Sequence, residues 1–333
     1  MSQRLNSLQN WLQKRVGIHA PQLVAITNDA SFRRYFRLLI NGVPHIVMDA
    51  PPDKENCKPF VDIAQRLQAS GLNVPQIVCS DLEQGFLLLT DLGSQLYLPA
   101  LDGVQVENLY GDALDALARI QTCTSDGLPL YDHQLLHREM NLFTDWLLGK
   151  QCNLSLDTAQ RASLENCFEL LSVAALSQPQ VFVHRDYHSR NLMVVSENNP
   201  GILDFQDAVK GPVTYDLVSL LRDCYIAWPR ERVHRWVHDY YISIQRNTNI
   251  QTGILVGIDE AQFLHWFDWM GIQRHLKASG IFARLSHRDG KLGYLKDIPR
   301  TLSYIVEVAA DYPELATLYQ LVSERVLPQF KVA

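Results

Sequence analysis

The first ninety residues change hydrophobic period repeatedly, which predicts mixed secondary structure. Apolar residues recur at helical spacing from 58 to 69, and Asn41-Gly42 separates two apolar runs as a hairpin turn does. Turn-forming residues bound the short apolar runs that we interpret as strands: QLVAI, YFRLLI, HIVMDA, QIVCS and GFLLLT. The pattern therefore predicts a small β-rich unit over residues 1–90.

From residue 91 onward the pattern changes to long amphipathic helices. Helical periodicity covers residues 106–121, 133–149 and 157–176. A second group of apolar runs follows, VFVH, NLMVV and GILDF, and helical patterns then continue to the end. We predict an α+β fold with two lobes, a small β-rich one at 1–90 and a larger helical one at 91–333. Any ligand is expected in the crevice between them.

Composition and charge narrow the classes of protein. The 333 residues are 47% hydrophobic and 20% charged, with a formal charge of −6 and no long basic run, which argues against nucleic acid as a main partner. No apolar run approaches the roughly 18 residues of a membrane helix, and no signal peptide is recognisable. We expect a cytoplasmic protein with a small-molecule substrate and reduced cysteines, and no obligate protein partner is evident.

The residues with the strongest chemical pattern lie between 181 and 208, in VFVHRDYHSRNLMVVSENNPGILDFQDA. The strand VFV leads into a polar loop that contains Asp186, and the turn NNPG folds NLMVV back against GILDF. This hairpin is expected to bring Asn191 and Asp204 near Asp186. Carboxylate and amide oxygens suit Mg²⁺, a hard cation that prefers oxygen ligands.

The spacing of these residues matches that of kinases. Asp186 and Asn191 are five residues apart, as in H-R-D-L-x-x-x-N, and Asp204 precedes Phe205 where kinases have the metal-binding Asp of D-F-G. Because order, residue types and distances agree, the pattern predicts phosphoryl transfer, with Asp186 accepting a hydroxyl proton.

HRDYHSRNLM and GILDFQDA resemble the catalytic and metal-binding motifs of the aminoglycoside phosphotransferase and choline kinase-like family. The resemblance covers most of the chain and implies a bilobal protein kinase-like fold that phosphorylates small molecules with ATP and Mg²⁺. It implies a nucleotide-binding lobe over 1–90 and a catalytic, acceptor-binding lobe over 91–333. GFLLLTDLG resembles the hinge that meets the adenine, which implies nucleotide contacts at Thr90, Asp91 and Leu92.

The same resemblance implies roles for the motif residues. Asp186 would be the base or the residue that orients the hydroxyl. Asn191 and Asp204 would be the magnesium ligands, and Asp207 would lie on the acceptor side.

Four further phrases are similar, more narrowly, to kinases that phosphorylate the anomeric C1 hydroxyl of N-acetylmuramate and N-acetylglucosamine in peptidoglycan recycling: SFRRYFRL, VMDAPP, DFQDAVKGPVTYDLVSLLRDCY and RHLKASGIFARLSHRDGK. We expect acceptor contacts from His188, Arg190 and Arg274. Each has an alternative: His188 could hydrogen-bond the loop, Arg190 could tie the loop to a carboxylate, and Arg274, with His275 and Lys277, could form a solvated face.

One departure from the kinase pattern concerns the phosphates. Met48 stands where the third strand of a kinase has its Lys, and the helix that follows has Asp62 but no Glu. No glycine-rich loop precedes them. We expect the amides near Ser31 and one of Arg33 and Arg34 to contact the phosphates, since alternation along a strand lets only one of the two arginines face the ligand.

Other patterns favour structural roles. His184 and His188 have a spacing that binds zinc on a helix, but the preceding strand argues against a helix there, and His184 is expected to support the loop. Asp216 is expected to stabilise the first turn of a helix. A sugar platform is possible, although core packing is favoured, for Phe263, Trp266, Phe267, Trp269 and Met270.

Two rival functions stay open at this point. The first is a kinase of another small alcohol, such as choline, an aminoglycoside or a homoserine-like acceptor. The second is a nucleotide-binding regulatory module that has lost catalysis, which the missing Lys and Glu suggest. Retention of Asp186, Asn191 and Asp204 argues against the second.

Overall fold

The computed structural model describes residues 3–26, 32–246 and 254–330. Tertiary contacts divide the chain into two units. The first comprises Met1–Ala116 and Asn191–Asp207, and the second comprises Leu117–Arg190 and Ala208–Ala333. The hairpin that carries Asn191 and Asp204 therefore belongs, by its contacts, with the amino-terminal part of the chain.

An antiparallel sheet of five strands, in the order β1-β2-β3-β5-β4, forms much of the first unit. Its strands are β1 (Val24–Ile26), β2 (Arg34–Ile40), β3 (Val43–Asp49), β4 (Ile77–Asp81) and β5 (Phe86–Thr90). Each lies within or overlaps one of the five predicted runs. Asn41 and Gly42 have φ of 51° and 80° and form the turn between β2 and β3, as expected for a tight hairpin.

In the described part of this unit, the other regular elements are helices and a short hairpin. These elements are α1 (Gln3–Val16), α2 (Lys58–Ala69), α3 (Tyr97–Ala100), the first part of α4 (Val106–Ile120), β7 (Leu192–Met193) and β8 (Gly201–Ile202). The helix predicted over 58–69 is confirmed. Its buried residues, Phe60, Ile63, Ala64 and Leu67, follow the spacing of one helical face.

The core of the first unit lies between α1 and the sheet. The Trp11 and Phe86 rings are 5.7 Å apart, and the Arg4 guanidinium lies 4.4 Å from the centre of the Phe86 ring. The buried residues of this core are Leu8, Trp11, Leu12, Phe36, Leu38, Val47, Phe86 and Leu88. Full burial of such side chains contributes about 1.5–3 kcal/mol each, so the amphipathic face of α1 helps to stabilise the sheet.

The β7–β8 hairpin is confirmed and is anchored by its turn. Asn199 Nδ2 donates hydrogen bonds to Tyr97 Oη at 2.6 Å and to Asp112 Oδ2 at 2.7 Å. The Ile202 amide donates to the Asn73 carbonyl oxygen at 2.8 Å. These contacts fix the positions from which the Asn191 and Asp204 backbones extend.

The described residues of the second unit are mostly helical and include a two-stranded ladder. Apart from the end of α4, its regular elements are α5 (His133–Leu142), α6 (Thr158–Leu176), β6 (Gln180–Val183), β9 (Val209–Pro212), α7 (Tyr215–Leu221), α8 (Arg230–Arg246), α9 (Glu260–Asp289), α10 (Ile298–Ala309) and α11 (Ala316–Gln320). The helices predicted over 106–121 and 157–176 are confirmed.

Helix α9 is the centre of the second unit and packs on α5, α6, α7 and α10. A Cβ at Gly280 would lie 2.3 Å from the Leu142 carbonyl carbon, so only glycine permits this close approach. At the same point α5 gives way to a π-helical segment, Phe143–Gln151, where the sequence predicts one continuous helix. None of the helices in the described ranges is long and apolar enough to cross a membrane.

Candidate active site

The catalytic loop, residues 184–190, begins directly after β6 in the second unit. The β6–β9 ladder ends at the pair Val183 and Val209. Arg185 has a φ of 77°, in the left-handed region that residues other than glycine rarely occupy. Such strain persists only where the surroundings hold the backbone in place.

Asp216 is the residue that holds this backbone. Its carboxylate is 1% exposed and accepts the His184 amide at 2.6 Å and the Arg185 amide at 2.9 Å. Burial, reinforced by the charge of Asp186, raises the pKa of Asp216 to about 7, although the two amides lower it. Asp216 does lie in the first turn of α7, but its carboxylate supports the loop as well as the helix.

A buried acid on α5 fixes two cations near the loop. Glu139 Oε1 lies 2.5 Å from Arg185 Nη2 and 3.1 Å from Lys277 Nζ, and Glu139 also accepts the Tyr131 hydroxyl. Lys277 Nζ lies 2.8 Å from Tyr215 Oη. Burial opposes ionisation of Glu139, but Lys277 and Arg185 outweigh it and lower its pKa.

Asp186 is surrounded by positive charge. Burial by itself would raise its pKa, but Lys277, His188, Arg185 and Arg274 together hold it below the ordinary value. Asp186 is therefore ionised at neutral pH, as a residue that accepts a hydroxyl proton must be.

Two of the predicted acceptor residues, His188 and Arg190, lie beside an aromatic cluster, which we define as Tyr225, Phe282 and Tyr294. The Arg190 guanidinium lies 4.6 Å from the Tyr225 ring centre and 5.7 Å from that of Tyr294. The His188 and Tyr225 rings are 5.4 Å apart. The aromatic cluster, rather than the aromatics of early α9, adjoins the catalytic loop.

Arg274, His275 and Lys277 are all buried, which excludes the alternative that they form a solvated face. His275 Nε2 lies 2.9 Å from the Arg222 carbonyl oxygen. Arg274 Nη1 lies 3.7 Å from Cys224 Sγ, and its charge acts on Asp186. Helical spacing alone does not reveal this, because α9 is enclosed on several sides.

In the first unit, Asn191 and Asp204 lie side by side at the open end of the β7–β8 hairpin. Asn191 Nδ2 is 3.4 Å from Asp204 Oδ2, and Gln206 Nε2 is 2.9 Å from Asp204 Oδ1. Asp204 is exposed, with a φ of 62°. The next residue, Phe205, is buried 4.9 Å from the Phe60 ring and so anchors the strained backbone.

Arg33, which immediately precedes β2, lies in the same group of residues. Arg33 Nη2 is 3.0 Å from Glu55 Oε2, and the Arg33 side chain hydrogen-bonds Tyr35. Burial raises the pKa of Tyr35 to about 12, with Arg33 lowering it and Asp204 raising it. Arg33 and Asp204 thus act on one phenol, which brings the arginine and the predicted metal ligand into one neighbourhood.

Arg34 faces a different partner, as alternation along a strand requires. Its guanidinium pairs with Asp49, with Nε 3.0 Å from Oδ2. Asp49 is fully buried and also accepts Arg4 Nε at 2.8 Å. Arg34 therefore neutralises a buried carboxylate of the sheet. Ser31 lies outside the described residues.

The predicted hinge follows β5. The Asp91 carboxylate accepts the Gly93 amide at 2.8 Å and Arg37 Nη2 at 3.1 Å. Thr90 Oγ1 accepts the Gln76 amide at 2.9 Å. Both side chains therefore hydrogen-bond within the protein and fix the shape of this segment. The predicted contact with the adenine is one made by the backbone. Asp207 is exposed at the end of the Asn191–Asp207 segment.

The donors of the Asn191 and Asp204 pair fit magnesium. An exposed carboxylate and a neighbouring amide supply hard oxygen ligands and leave positions for water and phosphate oxygens. Asn191 would have to turn its amide oxygen to the place that Nδ2 now takes. When bound, Mg²⁺ would neutralise phosphate charge.

The other structural expectations can now be judged. His184 is fully buried, with its amide held by Asp216, and so supports the loop as expected. The aromatics predicted for the core, Phe263, Trp266, Phe267, Trp269 and Met270, are all buried.

Sequence reasoning missed two residues that shape the site, Glu139 and Glu55, and it missed the loop-supporting role of Asp216. The contacts of all three depend on partners distant in sequence. For Glu139 a signal was available, since an acidic residue among the apolar positions of an amphipathic helix is unusual unless it is paired.

The class of protein follows from the sequence family to which the chain belongs. A family model described as "Phosphotransferase enzyme family" matches residues 22–247, and the chain belongs to this family. The predicted family, fold class and enzyme class are thereby confirmed.

Two relatives are similar to this chain over almost its whole length. An N-acetylmuramate/N-acetylglucosamine kinase of Pseudomonas putida is 46% identical over 332 residues, covering 96% of both chains. A protein of the same name from Neisseria meningitidis is 41% identical over 330 residues, covering 97% of this chain and 96% of the relative.

Solved structures share the fold at low identity. Choline kinase LicA from Streptococcus pneumoniae has a TM-score of 0.63 at 12% identity, and the match covers 92% of this chain and 100% of LicA. The ADP-bound aminoglycoside phosphotransferase APH(2'')-Ib has a TM-score of 0.59 at 15% identity, covering 91% and 98%.

Proposed function

We propose that this protein transfers the γ-phosphoryl group of ATP to the anomeric C1 hydroxyl of N-acetylmuramate and of N-acetylglucosamine, giving the sugar 1-phosphate. The proposal is carried by one observation: an ionised Asp186, held in a strained and supported loop, precedes Asn191 by five residues and is followed by Asp204. The amino-sugar acceptor is supported by a relative named N-acetylmuramate/N-acetylglucosamine kinase, which is 46% identical over 96% of both chains.

Asp186 accepts or orients the proton of the acceptor hydroxyl. The sugar oxygen forms a bond to the γ-phosphorus while the bond from that phosphorus to the β,γ-bridging oxygen breaks, and ADP leaves. The hydroxyl proton passes to Asp186 and then to solvent. Lys277 and Arg185 keep the carboxylate ionised at rest, and Asp216 holds the loop that presents it.

Asn191 and Asp204 hold Mg²⁺, as their oxygen donors allow. In phosphoryl transfer most of the catalysis comes from positioning and from neutralising phosphate charge. The protein therefore needs two well-placed ligands here more than it needs strongly reactive side chains.

Arg33 supplies the small-lobe cation that contacts the phosphates, and Glu55 positions it. The Arg33–Glu55 ion pair has the same two charges as the Lys–Glu pair of kinases. Arg33 shares the neighbourhood of Asp204, whereas Arg34 is committed to Asp49. A guanidinium can contact two phosphate oxygens at once, which suits it to this role.

We assign the acceptor contacts to His188, Arg190 and Arg274, and a further role toward the acceptor to Asp207. The aromatic cluster around Arg190 offers an apolar ring face for a pyranose. Arg274 provides a buried positive charge for the lactyl carboxylate of N-acetylmuramate. Because N-acetylglucosamine lacks that carboxylate, the two sugars should depend differently on Arg274.

The deciding experiment is incubation with Mg-ATP and a panel of acceptors, followed by ³¹P NMR to locate the phosphate. We expect phosphate at C1 of both amino sugars. Phosphate only at C6, or only on choline, an aminoglycoside or homoserine, would overturn the acceptor. ATP binding without transfer to any acceptor would instead identify a regulatory module that has lost catalysis.

A further inference from the structure

Two histidines and two glutamates form a cluster on the surface of the second unit, on the facing helices α5 and α6. We call it the helix-pair cluster and define it as His133, His137, Glu165 and Glu169. Each helix contributes two residues four apart in sequence, and residues at that spacing lie on one helical face. Asp132 caps α5 by accepting the Leu135 amide at 2.8 Å, so the face that carries the histidines begins in a defined position.

The side-chain atoms of the cluster converge. His133 Nε2 lies 2.8 Å from Glu169 Oε2, and His137 Nε2 lies 3.3 Å from the same oxygen. One ligand atom from each of His133, His137 and Glu169 lies within 4.8 Å of the others. In tetrahedral zinc sites, bonds of about 2.0–2.2 Å place neighbouring ligand atoms about 3.3–3.5 Å apart. Rotations of the half-exposed His133 and Glu169 side chains would bring all three into this range.

Glu165 has a separate role in this arrangement. Its Oε1 lies 3.1 Å from His137 Nδ1, on the opposite side of the imidazole from Glu169. A carboxylate that accepts the second ring N–H of a metal-binding histidine fixes the tautomer and leaves Nε2 as the donor to the metal. His137 Nε2 is a buried atom without a hydrogen bond of normal geometry among the described residues, so its lone pair can be donated to a metal ion.

The charge of the cluster also favours a cation. With neutral imidazoles, these four side chains carry two negative charges. The stacked rings of His133 and His137, whose centres are 4.2 Å apart, would repel each other if both were protonated. A divalent cation would accept a lone pair from each imidazole and neutralise the charges of both carboxylates.

We propose that His133, His137 and Glu169 form a site for a zinc ion, with Glu165 orienting His137 and water completing the coordination. Imidazole and carboxylate donors suit Zn²⁺. The site joins α5 to α6, and the opposite face of α5 carries Glu139, which binds Arg185 beside Asp186. Zinc would thus stabilise the helix on which that part of the catalytic loop depends.

The test uses tag-free, chelator-treated protein without nucleotide, titrated with Zn²⁺ by calorimetry and with Co²⁺ by visible absorption. The Asp204→Asn background removes the predicted magnesium site as a competitor. We expect one Zn²⁺ per chain, a tetrahedral Co²⁺ spectrum and a rise in Tm with Zn²⁺. His137→Ala and Glu169→Gln should abolish binding, and Glu165→Gln should weaken it about 10- to 100-fold.

His238→Ala is the matched control. His238 Nδ1 lies 2.7 Å from Glu260 Oε1, with side chains 48% and 50% exposed, against 50% and 51% for His133 and Glu169. This pair belongs to no group of three candidate metal ligands among the described residues, so its loss should leave zinc binding unchanged. Absence of zinc binding would overturn the proposal, as would equal affinity in the His137→Ala and His238→Ala variants or a cobalt–thiolate band. Circular dichroism confirms that each variant is folded.

Discussion

Arg33 and Glu55 form an ion pair with 3.0 Å between Nη2 and Oε2. Glu55 lies three residues before α2, whereas Asp62, the acid within that helix, pairs with Arg66 at 3.0 Å. The β3 residue at the corresponding position is Met48, an uncharged side chain that is fully buried, so this strand does not supply the positive charge. The positive and negative charges that kinases place on a strand and a helix are here found together in the segments that precede β2 and α2.

Replacing Arg33 by Met should raise the KM for ATP sharply. A charge-assisted contact contributes about 1.5–3 kcal/mol, which corresponds to roughly 10- to 150-fold. Glu55→Gln should raise the KM less, because it frees Arg33 without removing it. Steady-state kinetics at saturating acceptor measure both effects.

Arg34→Met provides the contrast. It leaves the buried Asp49 with Arg4 as its remaining arginine partner, so it should lower the free energy of unfolding and leave the KM for ATP nearly unchanged. Equal ATP kinetics in wild type, both single variants and the double variant would reject an arginine contact to the phosphates.

Asp186→Asn and Asp204→Asn should fail in different ways. Loss of a general base lowers kcat by about 10²- to 10⁴-fold, and Asp186→Asn should do so while Mg-ATP still binds. Asp204→Asn should weaken the metal site, so raising Mg²⁺ or adding Mn²⁺ should recover part of the activity. Metal titrations of kcat separate the two, and identical responses would contradict the assigned roles.

Lys277→Met should change both stability and the pH profile. Breaking a buried ion pair costs about 3–5 kcal/mol, with Arg185 left as a partner for Glu139 to limit the loss. Lys277 lowers the pKa of Asp186, so its removal should raise that pKa. As the pH is lowered, kcat/KM of the variant should therefore fall at a higher pH than that of the wild type. Lys277→Arg should restore much of the acid limb, and an unmoved limb in Lys277→Met would contradict the assignment.

Asp216 should make the unfolding free energy depend on pH. Its pKa is about 7 in the folded protein and 3.8 in a model compound, so the folded state binds more protons between these values. The contribution of this protonation to the free energy of unfolding is complete below about pH 4 and is lost as pH rises through 7. Asp216→Asn should flatten this slope, as urea denaturation across pH 4–8 would show. The exposed substitution Asp62→Asn is the control, and a slope unchanged by Asp216→Asn would refute the effect.

The sequence by itself determined the local strands and helices and the motif that indicates phosphoryl transfer. Alternation in the first ninety residues predicted the strands of the sheet, and helical spacing predicted α2, α4 and α6, because periodicity and turn residues act over a few positions. Asp186, Asn191 and Asp204 were recognisable because one loop and one hairpin carry all three. The resemblance of the motifs led to the family to which the chain belongs.

Only the tertiary structure decided which distant charges meet. Glu139 reaches Lys277 across 138 positions, Asp216 supports a loop about 30 residues earlier, and Arg33 finds Glu55 rather than a partner on α2. Hydrogen-bond and ion-pair partners are chosen by the packing of α5, α7 and α9, which no local pattern encodes. Burial then sets the pKa values of these groups, so the electrostatics of the catalytic loop follow from the fold rather than from the motif.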